Sequence, residues 1–388
     1  MMKDTLIYLD QAATSWPKPA SVGAAMQHAL RTCGGNPGRG SHPLAEASSQ
    51  LLYDCREAAA AFFNGNPEAV VFTLNATEAL NMAIKGLAHK DGHILVDHYA
   101  HNAAARPVKA LVQCGLCTMD LYDTNGTAEE TLASIRALMR PETTMLIATH
   151  QSNICSHVLP IREIGALCRE RGIDYIVDGS QSAGHLPIDI EADGITALCL
   201  PGHKGLMGPM GTGMLLTRED AVYRTIIEGG AGIRSLDETM PENLPERLEP
   251  GTMATPAIAG LLAGIRYVQS VGLARIRRTE ESLAAAFVND ASKIGGLHFH
   301  GETAGSVVSF TVDGASPSEI GRLLGEAGIC VRTGYHCAPL AHEALGTLET
   351  GTVRVSFSGM NTTEEARTAA RVLERITEGF RSERKKKS

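Results

Sequence analysis

Aromatic side chains are scarce in this sequence, which has one tryptophan, eight tyrosines and eight phenylalanines among 388 residues. Basic residues do not dominate either, because the formal net charge is −8. A nucleic-acid surface needs clustered lysine and arginine together with rings that stack on bases. The only dense basic run is RSERKKKS at the C-terminus, which we interpret as a solvated tail. We therefore expect no nucleic-acid partner.

Long apolar runs are absent as well. A membrane-spanning helix needs about 18 or more consecutive apolar residues, and no stretch approaches that length. The N-terminal MMKDTLIYLD carries an acidic residue at position 4 and only a brief apolar patch, so it does not resemble a signal peptide. We therefore expect no membrane partner.

The cysteines show no framework spacing. Their number, nine, is odd, and they are scattered along a long chain, which favours reduced thiols in a cytoplasm over disulfides. Cys114 and Cys117 form one C-x-x-C pair, but no second pair follows at zinc spacing. We interpret that pair as structural and predict no metal site.

Short apolar runs alternate with helical patterns between residues 70 and 216. Runs of this length bounded by turn residues are typical of buried strands, and the stretches between them repeat apolar residues at helical spacing. The alternation is typical of βα crossovers and a largely parallel sheet. We predict strands at 70–74, 94–97, 118–122, 145–149, 175–178 and 197–200 and, near the C-terminus, at 329–334 and 351–358.

Polar residues follow two of these strands. One strand ends on Asp178, and another leads into P-G-H-K-G at 201–205, which contains Lys204. The carboxyl ends of parallel strands border the ligand crevice of open α/β sheets. A lysine with room among glycines can act as an amine nucleophile, and a nearby carboxylate can pair with a pyridinium nitrogen. The pair suggests pyridoxal 5′-phosphate (PLP), although a surface lysine and a turn-capping aspartate would also fit this spacing.

The surrounding motif resembles a known family. D-G-x-Q, followed by G-H-K-G-x-x-G-P-x-G-x-G, resembles the cofactor core of class V, fold type I PLP enzymes, especially cysteine desulfurases and selenocysteine lyases. The N-terminal YLDxAATxxPKP is similar to the signature of the same family. The resemblance implies an α/β fold with a large PLP-binding domain, residues 16–265, built on a mostly parallel seven-stranded sheet. It also implies a smaller α/β domain, residues 266–388, with which the N-terminal segment 1–15 associates.

The resemblance implies a set of cofactor contacts. Lys204 would carry PLP covalently, and Asp178 would hold the protonated ring nitrogen. In H-N-x-x-x-R-P, His101 would stack over the ring, where it could move protons, with His98 as the alternative.

The resemblance also implies a homodimer with shared active sites, because Gly251 and Thr252 would reach the phosphate of the partner subunit's cofactor. The long irregular stretch at 228–251 that precedes them favours an interface or a functional loop. The remaining implied cofactor contacts are Ala76, Thr77, Asn153, Gln181 and His203.

A second motif lies near the C-terminus. R-T-G-Y-H-C-A-P, residues 332–339, resembles the catalytic-cysteine loop of group II cysteine desulfurases, with Cys337 as nucleophile. A thiol is nucleophilic when ionised, which adjacent positive charge promotes, and His336 is its neighbour in sequence. The strand at 351–358 turns Arg354 away from its apolar face, and a guanidinium can hold a carboxylate with two hydrogen bonds. Further implied substrate contacts are Ala13, Arg39, His42, Asn153 and Arg332.

These motifs predict a PLP-dependent cysteine desulfurase that converts L-cysteine to L-alanine and passes a persulfide from Cys337 to a sulfur-acceptor protein. A selenocysteine lyase is an alternative, and so is a class V aminotransferase, since this fold hosts many reactions. The cysteine loop favours desulfuration, because a transaminase has no use for a nucleophilic thiol. A non-catalytic scaffold is a third possibility, because Gln11 replaces an Asn and Pro201 replaces a phosphate-binding Ser or Thr of the family pattern.

Overall fold

The structure is a computed structural model that describes residues 6–38 and 40–387, with side chains as far as residue 380. The chain divides into two compact units. The small unit comprises Met1–Pro17, Gln151–Val158 and Ala274–Ser388, and the large unit comprises Lys18–His150 and Leu159–Leu273. The domain boundaries predicted at 15/16 and 265/266 stay a prediction.

Strands and helices are numbered along the chain. The strands are β1 (Ile7–Tyr8), β2 (Val70–Thr73), β3 (Gly92–Asp97), β4 (Cys117–Tyr122), β5 (Thr143–Thr149), β6 (Asp174–Asp178), β7 (Ala197–Pro201), β8 (Gly213–Thr217), β9 (Leu297–His300), β10 (Val307–Val312), β11 (Ile329–Cys330), β12 (Arg332–Gly334) and β13 (Thr352–Ser356). The α-helices are α1 (Ala20–Thr32), α2 (Pro43–Phe63), α3 (Ala76–Leu87), α4 (Asn102–Gln113), α5 (Ala128–Leu138), α6 (Ile161–Arg171), α7 (Thr255–Val271), α8 (Leu273–Ala291), α9 (Pro317–Glu326), α10 (Pro339–Ala344) and α11 (Thr363–Lys387).

The large unit is built on a seven-stranded sheet with the order β2-β8-β7-β6-β5-β3-β4. Strands β4, β3, β5, β6 and β7 pair in parallel, and β8 alone runs antiparallel to its neighbours β7 and β2. This arrangement confirms the predicted mostly parallel seven-stranded sheet.

Helices cover both faces of this sheet, which explains why its strands read as continuous apolar runs. On one face, residues of α2, α6 and α7 form a core with alternate strand residues such as Leu146, Val177 and Leu198. On the other face, α3 contacts β6, β7 and β8 and packs against α4. The long loop at 228–251 contains no helix or strand, as predicted.

No single helix among residues 6–38 and 40–387 is long and apolar enough to cross a membrane. Only α7 and α8, counted together across the bend between them, reach the required length and apolarity.

The parallel strands of the large unit end at one edge of the sheet. This edge gathers polar and turn-forming residues, because each strand passes there into a loop. Strands β3, β5, β6 and β7 end at Asp97, Thr149, Asp178 and Pro201, respectively.

The start of α3 lies at the same edge. In the sheet register, Pro201 at the end of β7 is opposite Gly213, and Gly213 is opposite Thr73 at the end of β2. Two residues after Thr73 the chain reaches Asn75, the N-cap of α3. The loop that begins after β7 and the first turn of α3 therefore flank the short gap spanned by β8.

The small unit contains a four-stranded antiparallel sheet, β12-β13-β10-β9, and a two-stranded parallel sheet, β1-β11. Helix α9 packs against β11, β12, β13 and α11. It begins with a capping box, in which Ser316 and Glu319 exchange side-chain-to-backbone hydrogen bonds. In the core, the ring of Phe287 lies 6.0 Å from that of Phe310 and 6.1 Å from that of Phe357.

The small unit corrects two predictions about strands. The single strand predicted at 329–334 is divided, because β11 pairs with β1 whereas β12 pairs with β13. The strand predicted at 351–358 is shorter, and the face that carries Arg354 and Ser356 is buried like the apolar face. The N-terminal segment covers that face: Asp10 contacts Arg354, and Ala12 N–H donates to Ser356 Oγ at 2.9 Å.

A buried ion pair anchors the end of the long loop in the large unit. Arg56 of α2 binds Glu249 through two hydrogen bonds of 2.9 and 2.7 Å, and both side chains are at least 90% buried. Glu249 also accepts from Phe72 N–H at 2.5 Å, and the guanidinium lies 4.5 Å from the Phe72 ring centre. Burial raises the pKa of Glu249, and Arg56 opposes that rise. The pair fixes the chain just before Gly251.

We expect Glu249→Gln to lower the free energy of unfolding by about 3–5 kcal/mol, because it leaves the Arg56 charge buried without its carboxylate. Urea unfolding followed by circular dichroism would measure the change. The matched control is Glu281→Gln, which breaks the exposed Arg277–Glu281 pair and should change stability by no more than about 0.5 kcal/mol. Equal urea midpoints for the two variants would contradict the role given to the buried pair.

Candidate active site

Asp178 lies at the end of β6 with its carboxylate buried. One oxygen, Oδ1, accepts from Ser180 N–H at 2.9 Å, and the backbone carbonyl accepts from His150 N–H at 3.1 Å. These contacts hold the carboxylate at the edge of the sheet, where the sequence predicted it. Gln181, three residues later, is buried in the turn that follows.

Lys204 lies in the loop that follows β7 and is half-buried. Backbone hydrogen bonds hold this loop: Gly202 N–H donates to Thr212 O at 2.8 Å, and Gly208 N–H donates to Gly202 O at 2.8 Å. The carbonyl of Lys204 itself accepts from Met207 N–H at 2.9 Å. The amine is thus carried on a fixed backbone.

Two glycines bring the Lys204 loop against the chain that follows Asp178. A Cβ at Gly205 would lie 2.2 Å from Ala183 O, and a Cβ at Gly184 would lie 2.3 Å from Gly205 O. Gly184 also has a φ of +109°, which side-chain-bearing residues avoid. The glycine after Lys204 therefore serves close backbone packing, which holds the loop that carries Lys204 against the segment that follows Asp178.

The first turn of α3 offers free backbone N–H groups at the same edge. Asn75 caps this helix by accepting from Glu78 N–H at 3.0 Å, whereas Thr77 is exposed in the first turn and does not cap it. The N–H groups of Ala76 and Thr77 belong to the four that a helix start leaves without helical partners. Together with the helix dipole they form a region that attracts anions.

The structure distinguishes the two histidines that follow β3. His101 is the N-cap of α4, and its Nδ1 accepts from Ala103 N–H at 3.0 Å, so the neutral ring carries its proton on Nε2. His98 Nδ1 lies 3.7 Å from the carboxylate of Asp123, which follows the edge strand β4. His101 is thus fixed at the start of a helix, and His98 is turned toward an exposed carboxylate.

Asp97 is a buried acid at this edge that the sequence analysis did not name. Its Oδ2 accepts from both the backbone N–H and the hydroxyl of Thr149, at 2.9 and 3.0 Å. Its side chain is fully buried, and burial together with the charge of Asp178 raises its pKa to about 7. A signal was present in the sequence, because Asp97 ends an apolar run as Asp178 does.

His203 precedes Lys204 and is a neutral ring near pH 7. Burial lowers its pKa to about 4, and the positive charges of Lys204 and Lys18 act in the same direction.

Gly251 adopts a φ of +96°, and Thr252 is exposed with its hydroxyl accepting from Asn36 Nδ2 at 3.3 Å.

In the small unit, Cys337 is exposed on the loop between β12 and α10. Both His336 and Cys337 have left-handed backbones, with φ of 47° and 59°. Asn153 stabilises this conformation by donating from Nδ2 to His336 O at 2.8 Å. The His336 ring is buried and its Nε2 lies 3.1 Å from Thr352 Oγ1. The thiol therefore projects from a loop whose preceding residue is fixed.

His336 does not supply the positive charge that its position in sequence suggested. Burial lowers its pKa to about 2, and the charges of Arg354 and Arg332 add to the effect. The ring is stacked on His342 at 5.8 Å between centres, and burial lowers the pKa of His342 to about 4. Both rings are neutral near pH 7 and act in packing and hydrogen bonding.

Arg354 is fully buried on β13 and already has an acidic partner. Its Nη2 donates to Asp10 Oδ1 at 2.8 Å, and its Nη1 donates to Asn153 O at 2.9 Å. Nε has no partner among the described residues. Arg332 is exposed and lies opposite Arg354 in the β12–β13 pairing. The bonds to Asp10 and Asn153 use two of the five N–H groups of the guanidinium, so Nε–H and one N–H on each of the other two nitrogens remain.

The N-terminal motif serves mainly to fold its own segment. Gln11 Nε2 donates to Trp16 O at 2.7 Å, and its Oε1 accepts from Trp16 N–H at 2.9 Å. Gln11 also reaches Asn361 Oδ1 at 3.2 Å. Ala13 N–H donates to Asp10 O at 3.1 Å in a turn. The side chain of Gln11 thus closes a loop with Trp16. This contact gives a reason for glutamine, which is longer than the Asn of the family pattern, at this position.

Among the other predicted substrate contacts, His42 has a role in its own helix. His42 is exposed and caps α2, with Nδ1 accepting from Ala45 N–H at 3.4 Å. Arg39 lies outside the described residues. Cys114 is exposed and Cys117 is buried, and both are free thiols. Within residues 6–38 and 40–387, no group of three or more His, Cys, Asp or Glu could hold a metal ion.

We expect Gly205→Ala to destabilise the protein by about 1–3 kcal/mol, because its Cβ would overlap a backbone oxygen that cannot move freely. Gly23→Ala on α1 is the control, because a Cβ there meets nothing within 4 Å. The higher helix propensity of alanine should raise the free energy of unfolding of this variant by about 0.5–1 kcal/mol. Thermal unfolding and amide hydrogen exchange at residues 202–208 would report both effects. Wild-type exchange in Gly205→Ala would refute the close-packing argument.

Comparison with known proteins identifies the family. Residues 7–368 match the model of the aminotransferase class-V family. A probable cysteine desulfurase of Methanothermobacter thermautotrophicus is 32% identical over 379 residues, which cover 95% of this chain and 94% of the relative. The apo structure of the cysteine desulfurase from Thermococcus onnurineus NA1 is similar with a TM-score of 0.88 at 29% identity, covering 96% and 95% of the two chains. The cysteine desulfurase CsdA (S-sulfonic acid) from Escherichia coli has a TM-score of 0.86 at 25% identity, with the same coverage. This chain belongs to the aminotransferase class-V family.

Proposed function

We propose that this chain is a PLP-dependent cysteine desulfurase that converts L-cysteine to L-alanine and retains the sulfur as a persulfide on Cys337. The observation that carries the proposal is the Cys337 loop. Its thiol is exposed, while the preceding His336 is buried and bound to Asn153 and Thr352. An accessible thiol on a fixed backbone suits nucleophilic sulfur transfer. The relatives named as cysteine desulfurases match along nearly the whole chain, which supports the same reaction.

The strand-end residues of the large unit fit PLP, the cofactor on which this family depends. Asp178 offers a buried carboxylate to a pyridinium nitrogen, and the first turn of α3, at Ala76 and Thr77, offers N–H groups to a phosphate. Lys204 offers an amine on a loop whose glycines let the backbone pack closely. When bound, PLP serves as an electron sink for the carbon skeleton of the amino acid.

Three further residues of the large unit have proposed roles toward the cofactor. His101 has its proton on Nε2 and stacks over the ring, so that Nε2 can pass a proton to or from the substrate. His203, neutral near pH 7, contacts the phosphate as a hydrogen-bond donor rather than as a cation. Gln181, buried in the turn after Asp178, contacts the ring hydroxyl together with Asn153.

We assign substrate binding to Arg354 and Arg332. Asp10 and Asn153 each take one N–H group of Arg354, so Nε–H and the second N–H groups of Nη1 and Nη2 are the donors left for a substrate carboxylate. Arg332 supplies a second positive charge from the neighbouring strand. Ala13, Arg39 and His42 stay proposed as further substrate contacts.

In the proposed reaction Lys204 removes the proton from Cα of cysteine. The Cys337 thiolate then attacks the substrate sulfur. A sulfur–sulfur bond forms as the Cβ–sulfur bond breaks, and the electron pair of the broken bond returns to the carbon skeleton. Protons added at Cβ and Cα complete L-alanine. The persulfide on Cys337 is passed to an acceptor thiol by the same kind of exchange.

L-selenocysteine is a second candidate substrate, since a selenium atom leaves carbon more readily than sulfur does. Transamination on the same scaffold would need Lys204 and Asp178 but would leave Cys337 without a task. The exposed thiol on its fixed loop therefore favours sulfur transfer.

We further propose a homodimer in which Gly251 and Thr252 serve the partner's cofactor. The exposure of Thr252 and the buried Arg56–Glu249 pair that fixes the preceding chain support this role. The nine free cysteines support a reducing compartment, so we place the reaction in the cytoplasm.

We expect Cys337→Ala to retain bound PLP but to lower alanine release from cysteine by at least about a hundredfold, because no nucleophile removes the sulfur. Cys330→Ala is the matched control in the same unit. Burial raises the pKa of the Cys330 thiol, so it is a poor nucleophile, and its removal should leave turnover near that of the wild type. Alanine release and mass-spectrometric mapping of the persulfide would measure both.

Full alanine release by Cys337→Ala would contradict the desulfurase mechanism. With a 2-oxo acid added as amino-group acceptor, formation of 3-mercaptopyruvate and of a new amino acid without alanine and persulfide would instead favour transamination.

A second expectation concerns Pro201, the last residue of β7, which has neither a hydroxyl nor an N–H group. Pro201→Ser adds a donor at the edge where we place the phosphate. A hydrogen bond to a charged group contributes about 1.5–3 kcal/mol, so PLP loss during dialysis should slow by at least about tenfold. Pro201→Ala is the control that restores the N–H group without the hydroxyl. If both variants lose PLP at the wild-type rate, the idea that Pro201 weakens PLP binding by lacking a donor is wrong.

A further inference from the structure

Lys18, in the P-K-P segment at 17–19, makes a contact that the residue roles proposed above do not explain. Its Nζ donates to the backbone carbonyl of His203 at 2.7 Å. Both residues belong to the large unit. His203 is the residue immediately before Lys204, so Lys18 holds the peptide group from which Lys204 extends.

Several other peptide groups of the loop are held by backbone contacts. Gly202 donates to Thr212 O and accepts from Gly208 N–H, each at 2.8 Å, and Lys204 O accepts from Met207 N–H at 2.9 Å. Gly205 packs directly against the backbone at Gly184. At His203 the carbonyl is instead bound by a side chain from a distant part of the sequence. A carbonyl that loses a charged donor is destabilised, so removal of Lys18 should loosen this peptide.

Pro201, just before this loop, makes the Lys18 hydrogen bond more important for the position of the loop. Pro201, the last residue of β7, has no N–H group, so the Leu200–Pro201 peptide that leads into the loop cannot donate a hydrogen bond. The lysine is well suited to fix the chain two residues later. Burial lowers its pKa to about 8, which leaves the ammonium protonated near pH 7. Charged donors form stronger hydrogen bonds than neutral ones.

We infer that Lys18 is a positioning residue for Lys204: by binding the His203 carbonyl it orients the peptide from which the cofactor-binding amine extends. This inference rests on the proposed function of Lys204. Removal of Lys18 should therefore slow the covalent capture of PLP without unfolding the protein.

The experiment compares the wild type with Lys18→Met, Lys18→Arg and Lys293→Met, each freed of cofactor. Capture of PLP and of pyridoxal, which lacks the phosphate, is followed by borohydride trapping and peptide mapping of the modified lysine. Lys293 lies on the surface in a pair with Asp290 and serves as the control. We expect Lys18→Met to capture both aldehydes at Lys204 about tenfold more slowly, Lys18→Arg to recover most of the rate, and Lys293→Met to match the wild type.

Each other outcome overturns the inference. Wild-type capture by Lys18→Met would remove the role altogether. Slower capture of PLP with unchanged capture of pyridoxal would make Lys18 a phosphate contact rather than a positioning residue. If Lys18→Met loses its circular dichroism signal, Lys18→Gln takes its place, and failure of Lys18→Arg to exceed it would indicate a merely structural lysine. Failure of the wild type to bind PLP at Lys204 would instead refute the proposed function.

Discussion

Parallel strands must all end at one edge of their sheet, and the chemistry proposed for this protein depends on that constraint. Asp97, Asp178 and Pro201 are the last residues of strands β3, β6 and β7, and the segments that follow them carry the candidate side chains. Helices cover both faces of the sheet, so this edge is where polar groups can face a ligand. The reversed strand β8 separates the Lys204 loop from the start of α3 and so gives the edge room between an amine and an anion-binding helix end.

Burial shifts the pKa of several groups near these sites. It raises the pKa of Asp97 to about 7 and lowers that of His203 to about 4 and that of His336 to about 2. The histidines therefore act as neutral donors and acceptors near pH 7. Where charge is buried, as at Arg354 and Arg56, a carboxylate lies within 2.8 Å. Positive charge for a bound anion must then come from the lysines and exposed arginines.

The sequence allowed the sheet to be predicted because each strand is a short apolar run between turn residues. Asp178 and Lys204 were found for the same reason, since each follows such a run. Contacts between distant segments could not be predicted. Asp10 and Arg354 are 344 residues apart, and nothing in the local pattern of either indicates the pair. The burial of the His336 ring depends on Thr352 and His342 in the folded unit, so its charge state could not be derived from its place beside Cys337.

His336 and Cys337, the two left-handed residues of the cysteine loop, lower the stability of the fold in a loop that we propose is needed for function. A residue with a side chain in this conformation costs of the order of 1–3 kcal/mol, and only glycine and, less often, asparagine adopt it freely. Glycine at position 336 would relieve the backbone but would lose the ring that packs against His342. Selection for thermal stability alone would thus favour a looser loop. A histidine here is expected to persist only while selection acts on the placement of the thiol.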